Sequence, residues 1–277
     1  MNFGISTHLY HHRRLEQAHV AAIAASGFAA IELFATRSHF DYHDAAAVDR
    51  LAGWLRDAGV RLHSVHAPIS EGTTDGIWGP ALSIASADAA RRRRAVQETE
   101  TALAIANAVP FDFLVLHLGV PDELRPGAGE NQLDAARRSV EEIHGLAERC
   151  GVRLALEVLP NALSSVEGLV RLIDSLELDN AGICLDFGHA AMMGDLLDAI
   201  EEASGHLLTT HVHDNHGRDE HLVPGEGNID WSSALFATQK IGYEGVFLFE
   251  VADTGDPDDV LRRSRAARRR LEDLYLS

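Results

Sequence analysis

A chain of 277 residues, 46% hydrophobic and 24% charged, is long enough to bury a large core without covalent staples, and its two cysteines build no disulfide framework. Lysine and arginine number 24 against 42 aspartates and glutamates, a net charge of −18 that argues against a polyanionic partner such as nucleic acid. The single lysine, Lys240, among 16 histidines points toward metal chemistry and away from lysine imines.

Short apolar runs alternate with segments of helical period from end to end, the pattern of repeated βα units and a parallel sheet. In chain order the predicted strands are 3–9, 29–35, 60–67, 111–118, 152–159, 181–186, 207–213 and 245–251. Amphipathic helices are predicted between and after them, among them 44–58, 88–108, 133–149, 232–241 and 257–276. Gly27, Gly59, Gly151, Gly205 and Gly242 stand where helices should close before the next strand, and Ser164 with Glu167 has the spacing of a capping box. Eight such units predict an α/β fold, a single-domain (β/α)8 TIM barrel over residues 1–277. The stretches 68–86, which carries Trp78, and 214–231 are longer than ordinary connections. Both follow strands, on the side where such barrels keep their sites, so Trp78 is a candidate lid over a substrate.

The first residues lack the basic-then-apolar pattern of a signal peptide, and no apolar run approaches the length of a membrane span. A cytoplasmic protein without a membrane partner is therefore expected. The arginine runs near 91–94 and 262–270 fall in predicted helices and read as solvated faces balanced by nearby acids. The sequence is compatible with a homo-oligomer.

Potential metal ligands recur at matching places. His66 and His117 end the third and fourth predicted strands, and Glu157 and Asp186 stand near the ends of the fifth and sixth. His211 lies in the seventh and Glu250 at the end of the eighth. In a barrel these ends converge on one cavity. A lone strand-end histidine is usually a hydrogen-bonded core residue, but a ring of carboxylates and imidazoles suits a borderline or hard divalent cation. A second tier joins them. His189 follows Asp186 by three, His213 follows His211 by two and points to the same face, and Asp219 and His221 lie in the loop after the seventh strand. The last two also read as solvated loop residues.

The ordered series His66-Ala67-Pro68, Leu82-Ser83-Ile84-Ala85-Ser86, His117-Leu118-Gly119, Leu156-Glu157, Cys184-Leu185-Asp186-Phe187-Gly188-His189, the run from His211-Val212-His213-Asp214 to Gly225-Glu226-Gly227, and Phe249-Glu250 resembles the xylose isomerase-like barrel superfamily. Its members include sugar phosphate isomerases and epimerases and endonuclease IV. The resemblance to its ketose 3-epimerases implies one divalent ion on Glu157, Asp186, His211 and Glu250, with Glu157 and Glu250 doubling as acid and base. It also implies substrate contacts from His189 and, by a looser match, Arg218; His213 and Trp78 join them as expected substrate contacts. The resemblance to endonuclease IV implies up to three zinc ions, adding His66, His117, His189, Asp219 and His221 as ligands. Both patterns fit the same residues.

The expectation is an enzyme, a metal-dependent isomerase or epimerase that moves a proton on a sugar, keto-sugar or sugar phosphate through an enediolate. Manganese or zinc is the expected cofactor and a small carbohydrate the expected partner. A free sugar is favoured over a phosphate ester, because no glycine-rich phosphate loop opens a helix in the last two units. The alternatives are a metal-dependent lyase or dehydratase on a keto-sugar or cyclitol, and an endonuclease IV-like zinc phosphodiesterase.

Overall fold

Parallel strands buried on both faces demand continuous apolar sequence, and the apolar runs form them. They are β1 (Asn2–Ser6), β2 (Ala30–Phe34), β3 (Arg61–His66), β4 (Phe113–Leu116), β5 (Arg153–Glu157), β6 (Ala181–Asp186), β7 (Leu207–Val212) and β8 (Val246–Phe249). Each pairs in parallel with its sequence neighbours, and β1 closes onto β8, giving a TIM barrel. The structure is a computed structural model that describes residues 1–74, 77–252 and 255–276. Among the described residues no helix is long and apolar enough to cross a membrane.

Helices clad the barrel because one stripe of each is apolar. In α4 (Leu133–Arg149) the stripe is Ala136, Val140, Ile143 and Ala147, all buried, at the three- and four-residue spacing of a single helix face. Side-chain caps fix several starts. Asp44 caps α2 (Ala45–Ala58), Asp88 caps α3 (Ala89–Leu103) and Asp230 caps α8 (Trp231–Lys240), each accepting from backbone N–H groups of the first turn. The cap of α5 (Val166–Ser175) is Ser165, which accepts from the Gly168 N–H. The predicted box starting at Ser164 is thus displaced by one residue, since Ser164 Oγ donates to the Leu118 carbonyl instead.

The first predicted strand is shorter than expected. Ser6 accepts a hydrogen bond from the His8 N–H, and the chain turns into a 3₁₀ segment, Thr7–Tyr10. Likewise α3 tightens into 3₁₀ geometry over Ala104–Asn107 before β4. The 68–86 connection contains a pair of two-residue antiparallel strands, Thr73–Thr74 and Ile77–Trp78.

The 214–231 connection is held by one buried carboxylate. Asp214 accepts from the N–H groups of Asn215 (2.9 Å), Gly225 (2.7 Å) and Ile229 (3.1 Å) and from the Trp231 indole (2.9 Å). Glycine at 227 is required, because a Cβ there would stand 2.4 Å from Asp214 Oδ1. Replacing Asp214 by Ala would strand these buried donors together. Asp214→Ala is expected to cost about 3 kcal/mol in urea unfolding, since buried donors to a charged group lose their acceptor. Hydrogen exchange should localise the loosening to residues 215–230.

Candidate metal centre

Strand alternation builds the site. Side chains two apart face the same way, and on six strands a small or apolar interior residue precedes a donor by two. Ser64 is followed by His66, Val115 by His117, Ala155 by Glu157, Cys184 by Asp186, Thr209 by His211 and Leu248 by Glu250. Register then aligns the donors, with Asp186 directly beside His211.

Three groups of donors result, each with its ligand atoms within 4.8 Å of one another: Glu157, Asp186, His211 and Glu250; His66, His117 and Glu157; and His189, His213, Asp219 and His221. In the first, His211 Nδ1 is 3.3 Å from both Glu157 Oε1 and Glu250 Oε2 and 4.0 Å from Asp186 Oδ2. In the second, the Nε2 atoms of His66 and His117 lie 3.2 Å apart, and both stand against Glu157 Oε2 at 3.2 and 3.1 Å. In the third, Asp219 Oδ1 is 3.0 Å from His221 Nε2 and 3.5 Å from His189 Nε2. Asp219 and His221, although loop residues, are therefore turned into the site.

The charges show what such a centre is built to hold. Burial by itself would raise the Glu157 carboxyl, but His117 and His211 outweigh it and hold the group well below the usual carboxylate range. Glu250 is likewise lowered against its burial, chiefly by His211. Burial works against a charge on His66, yet Glu157, with Glu250 and Glu32 beyond it, keeps that imidazole protonated up to about 9. Burial also opposes charge on His189 and His221, but Asp186 and Asp219 lift the first to about 9, and Asp219 and Glu250 the second to about 10. Protons thus balance buried carboxylates wherever a cation is absent, and a divalent ion would take over that role. Unsatisfied atoms agree, because Asp186 Oδ2 and His189 Nε2 are buried without a well-aligned hydrogen-bond partner. The oxygen-rich first group suits manganese or zinc, and the two imidazoles and carboxylate of the second resemble an open zinc set.

Above the donors lies a cavity of about 400 Å³ whose floor includes His66, His117, Glu157 and Glu250. Trp78 stands on its wall. Two expected substrate contacts lie elsewhere. Arg218 does not line the cavity; its side chain is 78% exposed and paired with Glu220 at 3.3 Å. His213 is fully buried behind the wall, its Nε2 2.9 Å from Asp186 Oδ1. It fits there because residue 188 is glycine, where a Cβ would fall 2.0 Å from the imidazole.

A family model described as xylose isomerase-like TIM barrel matches residues 20–271. The chain belongs to that family. An uncharacterized protein of Methanocaldococcus jannaschii is 30% identical over 258 residues, 90% of this chain and 83% of the relative. A D-psicose 3-epimerase of Enterocloster bolteae is 30% identical over 128 residues, 44% of this chain and 41% of that enzyme. The solved structure of a D-tagatose 3-epimerase-like protein superposes with a TM-score of 0.80 at 26% identity, covering 99% of this chain and 97% of that one. Sugar epimerases and isomerases are thus among this family member's homologues, which supports an enzyme.

Sequence reasoning missed Glu32 and His8. His8 fell within a predicted strand but stands on the 3₁₀ turn and lines the cavity. Glu32 is fully buried on β2, and its Oε2 accepts from Ser64 Oγ at 2.8 Å and from His211 Nε2 at 3.0 Å. A lone carboxylate inside the apolar run Ala-Ile-Glu-Leu-Phe was the available signal. By binding Nε2–H, Glu32 leaves Nδ1 of His211 free to face Glu157 and Glu250. Glu32→Gln is expected to weaken manganese or zinc binding about 10- to 100-fold in chelator competition, the usual effect of losing such a support. Unchanged affinity would show that Glu32 does not orient His211.

Proposed function

We propose that this protein is a divalent-metal-dependent isomerase or epimerase of a keto-sugar, working by carboxylate-mediated proton transfer. The observation that carries this reading is the placement of Glu157 and Glu250, which line the cavity, in one donor group with Asp186 and His211. A divalent ion held by those four residues would supply positive charge beside the substrate oxygens and so stabilise an enediolate.

The chain's own groups account for the proton. Glu157 and Glu250 are held ionised, so either can accept a proton from the carbon next to the carbonyl. Glu157 ends β5 and Glu250 directly follows β8, with β6 and β7 between them in the barrel. His66 Nε2 lies 3.2 Å from Glu157 Oε2, within reach to exchange a proton with that carboxylate. His189 is fixed for substrate contact by its Nδ1 bond to the Val158 carbonyl, and Trp78 is a substrate contact on the cavity wall.

Turnover of a keto-sugar in deuterated water is expected to place deuterium at the reacting carbon. Complete retention of the original hydrogen would indicate a hydride shift and remove Glu157 and Glu250 as bases. Each Glu→Gln variant should lose about 100- to 10,000-fold in kcat, with metal affinity measured alongside because both residues are proposed ligands.

A second reading has a specific observation in its favour: the two further donor groups, on His66–His117–Glu157 and on His189–Asp219–His221, suit a trinuclear zinc phosphodiesterase. Charge speaks against it. Binding a duplex requires several cations against phosphates, whereas the chain carries −18 and, among the described residues, no lysine or arginine lines the cavity. Metal-loaded protein is therefore expected not to nick an abasic-site duplex at low salt, where electrostatic binding is strongest. Efficient metal-dependent nicking would establish the phosphodiesterase instead.

A further inference from the structure

The donors occupy only the floor of the cavity, and its walls have a different chemistry. An aromatic face rises without a break from the site to the mouth. The Phe34 ring lies 5.1 Å from that of His66, the Trp78 ring stands edge-on to Phe34 at 6.4 Å, and Trp78 stacks on His11 at 5.4 Å. Leu82, Val120 and Leu124 also line the cavity. Trp78 and Leu124 are 39% and 65% exposed, a large apolar area left uncovered beside a polar site.

These walls offer little to a hydroxyl. Ser70 Oγ already donates to the backbone carbonyls of Gly72 and Gly79 and Ser83 Oγ accepts from the Ala85 N–H, so beside the aromatic face the polar groups of the walls are the Ser83 hydroxyl hydrogen and the His8 and His11 rings. A polyol chain laid along them would exchange water for unpaired contacts, which is unfavourable. A phosphate or carboxylate would fare worse. Glu123 joins Glu157, Asp219 and Glu250 in the lining, and the only cationic groups beside them there are imidazoles already engaged with those carboxylates, since among the described residues no lysine or arginine lines the cavity. Arg125 follows the lining residue Leu124 without itself reaching the cavity.

We propose that the substrate is a neutral keto-sugar bearing an apolar substituent, its polar head on the donor floor and its substituent against Phe34, Trp78 and Leu124. An aromatic group fits best, since it stacks on the indole face and loses only water from its own apolar surface. The inference rests on the isomerase reading for the sugar head alone.

The test compares three forms of one ketohexose on manganese-loaded protein: unsubstituted, 6-O-benzyl and 6-phosphate. Binding is read by calorimetry and by quenching of tryptophan fluorescence, without turnover. The benzyl ether is expected to bind at least about tenfold tighter than the parent sugar, the scale on which a pocket reads apolar groups. The phosphate ester is expected to bind more weakly than the parent. Trp78→Ala and, separately, Leu124→Glu should abolish the benzyl preference while leaving manganese affinity unchanged. Equal binding of benzyl and parent forms, tightest binding of the phosphate, or a preference that survives both substitutions would overturn the proposal. Because the readout is a ratio of affinities, absence of deuterium exchange would refute the isomerase reading and leave this comparison intact.

Discussion

Everything in this molecule is arranged around the burial of several carboxylates in one place. Glu32, Glu157, Asp186 and Glu250 are all nearly inaccessible, and bringing them together inside a barrel would be prohibitively unfavourable without compensating positive charge. Histidines provide that compensation, with His211 between Glu32 on one ring nitrogen and Glu157 and Glu250 on the other. Imidazole suits this position because it holds a proton when no cation is present and gives it up when one binds. The acidity of the chain and its wealth of histidine are two aspects of one constraint.

That constraint explains the support around the ligands. Asp186 caps α6 (Phe187–Met193) by accepting from the His189 N–H at 2.8 Å, so the residue that joins the donor group also starts the helix that carries His189. Asp214 organises the loop that delivers Asp219 and His221. The tight fit of His213 over Gly188 locks β7 against the start of α6. Fold and site share these contacts, which is why charge chemistry of this kind can persist in a protein interior.

The cavity above the donors adds selectivity of another sort. Carboxylates and imidazoles share its floor, while Phe34, Trp78, Leu82, Val120 and Leu124 give its walls an apolar character. Trp78, carried by the long connection after β3, lines this outer part.

Much of this was legible in the chain itself. Alternating apolar runs and helical stripes set the barrel, because periodicity reports which faces are buried. His66, Glu157 and Asp186 end their strands as expected, and closure of the barrel brings all such ends to one side. What the sequence could not convey was contact between residues distant along it. Glu32 reads as an anomaly in an apolar strand until β7 places His211 Nε2 3.0 Å away. Arg218, close to the ligands in sequence, turns outward to Glu220, whereas Asp219 next to it turns inward to His189 and His221. Periodicity determines the elements and the end of the barrel at which donors gather. Loop path, register and side-chain direction, which only packing in three dimensions sets, decide which donors meet and what surrounds them.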